Sequence, residues 1–155
     1  MSKNKPTIEQ MKLVCRHLDE LRAAGVSENL AIRTLELFAD TYAKCHSGGS
    51  AAPHSVNQVT LWSVDALALK KAKPDAKPRD HFRVEHGTPR RDFARLIKAI
   101  YDTGHLTEAT LNNLCADHWR LAVITLEEDA RLKRSITYTG PTDRWCAAGI
   151  KFPEP

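Results

Sequence analysis

Apolar positions in the first 45 residues recur at three- and four-residue intervals. Ile8, Met11, Val14, Cys15, Leu18 and Leu21 form one stripe behind the capping box Thr7-Ile8-Glu9-Gln10, and Gly25 is placed to end that helix. Leu30, Ala31, Leu35, Phe38, Ala39 and Tyr42 form a second stripe, which predicts a helix from a Ser27 cap to about Lys44. So short a joint favours a helical hairpin. Glycine, serine and proline then interrupt the pattern at 46–55, the stretch of a linker spanning 46–57.

Beyond the linker, Val59, Trp62, Ala66 and Leu69 fit a helical stripe, and helix is the preferred reading. The alternative is a short strand from Val59 to Trp62, with Ser63 capping a helix behind it. A basic, proline-bearing linker follows at 73–80. Residues 81–85 read as a strand. Thr88 is expected to cap a helix with Pro89 as its first residue, and Phe93, Ile97, Ile100 and Tyr101 lie on one face of it. Thr107 caps the next helix, where Leu111, Leu114, Cys115 and His118 share a face. The apolar, β-branched run at 120–125 reads as a second strand. Thr125-Leu126-Glu127-Glu128 is a further capping box, opening a helix to about Arg134. Trp145 is expected to anchor an irregular tail whose last five residues are loose.

The predicted fold is therefore mainly α, of the α+β kind. An N-terminal helical hairpin (1–45) is followed, after the linker 46–57, by a helical body (58–155) with two short strands at about 81–85 and 120–125, in one compact domain. The strands are joined through two helices, long enough for a right-handed crossover, which allows parallel pairing.

Composition narrows the class without naming a function. The chain has 155 residues, 42% hydrophobic and 27% charged, as in an ordinary soluble globular protein. No apolar run approaches the ~20 residues of a membrane span. The polar start lacks the apolar core of a secretory signal, so the expected location is the cytoplasm. Cys15, Cys45, Cys115 and Cys146 are scattered, which suits reduced, buried thiols better than a disulfide scaffold or a zinc site. Walker, GxGxxG and GxSxG motifs are absent.

Charge changes the picture more. Residues 1–69 balance to zero and residues 99–155 to −2, whereas residues 70–98 carry ten Lys/Arg against four Asp/Glu. A basic focus of this kind suits phosphate backbones or an acidic protein face. Its candidate binding residues are Lys70, Lys71, Arg79, Arg83, Arg90, Arg91 and Arg95. Arg90 and Arg91 stand at a predicted helix start, where unpaired backbone N–H groups also attract an anion. Trp62, His81 and Phe82 are candidates for stacking on bases, although Phe82 equally suits a core position.

The same window holds "FRVEHGTPRR", residues 82–91. If the strands pair in parallel, Glu85 and His86 face Thr125 and the acidic run Glu127-Glu128-Asp129 at the sheet edge favoured by ligand sites. Glu85, His86, Glu127 and Glu128 would then be metal candidates for Mg²⁺ or Mn²⁺, with His86 and Glu85 catalytic and His86 the base that activates water. The structural alternative for the acidic run is the first turn of a helix, where the helix dipole stabilises negative charge.

Glu85-His86-Gly87-Thr88-Pro89, followed by "NNLCADHW" at 112–119, resembles the HNH nucleases over about 40 residues. The resemblance implies His86 as base, with Asn113 and His118 supporting base and metal. It departs from that family where a helix at 90–103 replaces the returning strand of the family's hairpin. The expected function is a small basic cytoplasmic factor of adaptor or inhibitor type. It would bind nucleic acid, or a protein–nucleic-acid complex, through residues 70–98. The alternative is a metal-dependent HNH-like nuclease using Glu85 and His86.

Overall fold

A computed structural model describes residues 5–47 and 56–155, so most of the first linker lies outside the described residues. Its elements run α1 (Ile8–Ala23), α2 (Glu28–His46), α3 (Val64–Ala72), β1 (Phe82–His86), α4 (Arg90–Asp102), α5 (Glu108–His118), β2 (Leu121–Thr125), α6 (Leu126–Arg131) and α7 (Asp143–Ala147). Single 3₁₀ turns precede α3 and β1, at Val56–Gln58 and Pro78–Asp80. The fold is mainly α with a small β part. No helix among the described residues is long and apolar enough to cross a membrane.

The chain divides into two compact units that do not follow chain order. One comprises Met1–Ala52 with Pro89–Asp117, the other Pro53–Thr88 with His118–Pro155. The N-terminal hairpin thus shares a unit with α4 and most of α5.

In the first unit, α2 packs against both α1 and α4. The buried faces are those the periodicity marks: Met11, Cys15 and Leu18 on α1, Ile32, Leu35 and Ala39 on α2, Phe93 and Ile97 on α4, Leu111 on α5. The Thr7–Gln10 capping box forms in both directions. Gly25 adopts φ +88°, and the Gly25 and Val26 N–H groups close α1 onto the carbonyls of Arg22 and Leu21. Two caps differ from expectation. Ser27 holds the N-cap position of α2 without a side-chain bond, and α4 starts one residue late, with Pro89 as N-cap and Arg90 as first helical residue.

The second unit is built on a two-stranded sheet. β1 and β2 pair antiparallel, Phe82 opposite Thr125 and Glu85 opposite Ala122, which corrects the parallel arrangement. A crossover long enough for parallel strands does not require them, because a long connection can equally re-enter the sheet at the end it left. One face of the sheet packs Phe82 and Val123 against Val59, Trp62 and Ala66. The other packs Ala122 and Ile124 against Leu132, Trp145 and Ile150.

The preferred helix over Val59–Leu69 is also corrected. Ser63 caps α3 through the Ala66 N–H, and Trp62 lies extended in a parallel bridge to Val123. The tail is less loose than expected. Lys151 accepts the Val64 N–H, and Phe152 packs on Trp145, which is fully buried.

Candidate functional site

The extended backbone of β1 decides the fate of Glu85 and His86. Neighbouring side chains on a strand point to opposite faces of the sheet. Glu85 stands opposite Ala122, on the Trp145 face, while His86 shares the Phe82 and Val84 side. Glu85 is already engaged. Arg144, buried on α7, donates to its carboxylate and, at 2.5 Å, to the His86 carbonyl. Gly87 makes this closure possible: a Cβ there would meet the Pro141 carbonyl oxygen at 1.7 Å, so any side chain would push the tail away.

The acidic run lies elsewhere. Antiparallel pairing places Thr125 at the Phe82 end of the sheet, roughly 10 Å along β1 from Glu85. Glu128 is buried and caps α6, accepting the Thr125 N–H at 2.8 Å. The same oxygen accepts the Ser63 hydroxyl at 2.6 Å, so one carboxylate ties the starts of α3 and α6 together. Glu127 is exposed. Asp129 pairs with Arg134 at 2.6 Å, and Arg134 approaches Glu85 at 4.0 Å. A guanidinium, rather than a shared cavity, links the two acidic regions. Among the described residues no group of three His, Cys, Asp or Glu side chains is placed to hold a metal ion. Of the residues the nuclease resemblance adds, Asn113 is exposed on α5, and His118 is half-buried with a buried Nδ1 that has no hydrogen-bond partner.

The basic window is split between the two units at Thr88 and Pro89. In the first unit three of its four cations are spent on acids. Arg91 bonds Glu36 at 2.5 Å and Asn29 at 3.3 Å. Arg95 forks onto Glu28 at 3.2 and 3.3 Å and reaches Asp92. The Glu28 carboxyl is held below its ordinary range, chiefly by the Arg95 hydrogen bonds. Lys98 sits between Asp19 and Asp102; burial works against its charge, but the two carboxylates prevail and raise its pKa. Arg90 is exposed and lines a small open cleft with Arg33, Glu36, Leu37 and Arg91. Arg33 escaped the sequence reading because it lies on α2, far outside the basic window.

In the second unit the cations face solvent. Lys71, Lys73 and Lys77 are exposed and form no ion pair among the described residues. Lys70 lies 4.4 Å above the Trp62 ring. Arg79 meets Asp80 only at 3.7 Å, with 81% of its side chain exposed. Arg83 turns back to donate to the carbonyls of Arg79 and Phe82. Lys77, Arg79 and Arg83 rim an open groove of about 670 Å³ whose apolar wall is Val56, Pro78, Phe82 and Val84. Of the aromatic side chains proposed for stacking, His81 is half-buried with its ring 6.4 Å from that of Phe82, and Phe82 reaches the groove only as a buried part of its wall. Trp62 and Phe82 pack edge to face at 5.3 Å in the core, and the Trp62 indole donates to the Val59 carbonyl.

No protein-family model, curated protein or solved structure matches the chain significantly.

Proposed function

We propose that this chain is a small basic binding factor of adaptor or inhibitor type, whose partner is nucleic acid or a nucleic-acid-bound protein complex. The contact surface is the part of the basic window in the second unit, residues 70–83. The observation that carries the reading is the groove rimmed by Lys77, Arg79 and Arg83, beside Lys71 and Lys73, none of which is buried in an internal ion pair. Six Lys/Arg against two Asp over these 14 residues leave a dense positive surface. Such a surface attracts a polyanion with an affinity that falls steeply with salt.

The test is fluorescence anisotropy of a labelled oligonucleotide titrated at salt concentrations from about 50 to about 300 mM. The expected outcome is a negative log–log salt slope, and a loss of about 100-fold or more for Lys77→Glu with Arg79→Glu. Arg91→Glu with Arg95→Glu should leave affinity nearly unchanged and instead reduce stability. Salt-independent binding, or equal losses from the two double variants, would overturn the assignment to residues 70–83.

A further inference from the structure

Among the described residues, the outer edge of β1 at Phe82 and Val84 carries no further strand. The rungs between the strands fall at His81–Leu126 and Gly87–Arg120, where Leu126 N–H donates to His81 and Gly87 N–H donates to Arg120. Alternation then turns Arg83 and Glu85 toward β2 and turns the backbone groups of Phe82 and Val84 outward. β2 shows the complementary pattern. Its outward groups at Val123 are taken up by the Leu61 carbonyl and the Ser63 N–H on either side of Trp62. Among the described residues no strand flanks β1 in this way, and at the far end the outward His86 carbonyl is taken by Arg144. Among the described residues, the Val84 N–H and C=O and the Phe82 N–H make no hydrogen bond, and of this set only the Phe82 carbonyl is covered, by Arg83. The groove described above runs along this edge.

We propose that the outer edge of β1 accepts an extended acidic segment of a partner protein as a third strand of the sheet. This rests on the reading of residues 70–83 as an anion-binding surface, and it selects the protein of the complex as what the groove holds. A third strand supplies backbone donors and acceptors at the spacing that Val84 needs, whereas a polynucleotide carries no such alternation. The groove also presents no exposed aromatic platform for bases, since Trp62 and Phe82 are core residues. Lys77, Arg79 and Arg83 supply charge complementary to acidic side chains, and Val56, Phe82 and Val84 supply an apolar wall for the alternate positions. The same cations oppose a second copy of this chain, because edge-to-edge pairing would set basic rows against each other.

The probe is a nine-residue peptide of alternating Glu and Val, capped at both ends, titrated into the full chain while amide exchange is followed by NMR. Binding should slow exchange at Val84 by about tenfold or more, with Arg83 and Glu85, already laddered to β2, unchanged. Two further peptides carry N-methyl groups on alternate residues, one set in each parity. Only one parity faces the β1 edge, so one should lose about tenfold or more in affinity while the other binds normally. Equal binding of the two, unaltered Val84 exchange, or protection of Val84 by self-association without peptide would overturn the proposal. If a uridine oligonucleotide binds with steep salt dependence and the peptide does not, strand addition fails and the wider reading of residues 70–83 stands. If neither binds, both fail.

Discussion

Ten basic residues lie between positions 70 and 98, and the fold treats the two ends of that window in opposite ways. On α4, Arg91, Arg95 and Lys98 reach Glu36, Glu28, Asp92, Asp19 and Asp102, acids supplied by α1, α2 and α4 itself. In the last turn of α3 and between α3 and β1, Lys71, Lys73 and Lys77 reach solvent. Formal charge is the same property in both places; charge available to a partner is not. A cation held between two carboxylates must break those contacts before it can serve a new anion, and that cost cancels most of the gain. An exposed lysine gives up only water and some rotamer freedom.

The comparison predicts first that the second unit also has a closed cation, and that closure rather than location sets the energetic consequence. Arg144 is 3% exposed and its carboxylate partner is Glu85. Glu85→Ala would leave a buried guanidinium without its counter-charge, costing about 3–5 kcal/mol in urea unfolding. His86→Ala, at a side chain on the other face of the strand, should cost far less. Equal losses at the two positions would show that the pair acts as one structural unit after all.

A smaller effect is expected at Lys98, which is 15% exposed between two half-exposed aspartates. Lys98→Met should cost about 1–2 kcal/mol near neutral pH. Because the folded pKa of Lys98 is raised above 10.5, its contribution is fully present below that value and is lost as pH rises through the raised one. The stability gap between wild type and variant should therefore narrow only in strongly alkaline solution. Cys15, beside this cluster, has its thiol pushed up to about 12 by burial and stays protonated over most of that range. A gap that closes already at pH 8 would mean that Lys98 acts by packing alone.

Much of the fold was legible because its determinants are local. A capping box needs four consecutive residues, and those at Thr7 and Thr125 form as read. A helical stripe needs two turns, and the buried faces of α1, α2 and α4 follow theirs. Strand positions were legible to within a residue. The sense of strand pairing was not, since it depends on how a 34-residue connection leaves and re-enters the sheet. The candidate site fared in the same way. That Glu85 and His86 point apart follows once the strand runs on through His86, one residue beyond the 81–85 read from the sequence, whereas the partnership with Arg144, 59 residues away in a tail without a motif, lay beyond reach. The basic window was visible as composition. Its division into spent and available charge was not, because Glu36 and Glu28 lie 55 and 67 residues from the arginines they hold.

The smallest expected effect tests whether even an exposed pair on α4 is spent. Glu28 and Arg95 are 40% and 48% exposed, so solvent screens their attraction and the pair stabilises the fold by at most about 0.5 kcal/mol. The Glu28 carboxyl titrates below its ordinary 4.5, mainly through the Arg95 hydrogen bonds. Its contribution is therefore present above that pH and is lost as pH falls through the lowered value. Glu28→Gln should lower the melting temperature slightly at pH 7 and leave it unchanged at a pH well below the lowered value. High salt at pH 7 should shrink the difference in the same direction. A difference that survives both acid and salt would show that the side chain is held by packing rather than charge. Arg95 would then be open to an outside anion, and the contrast between the two ends of the basic window would weaken at its most exposed point.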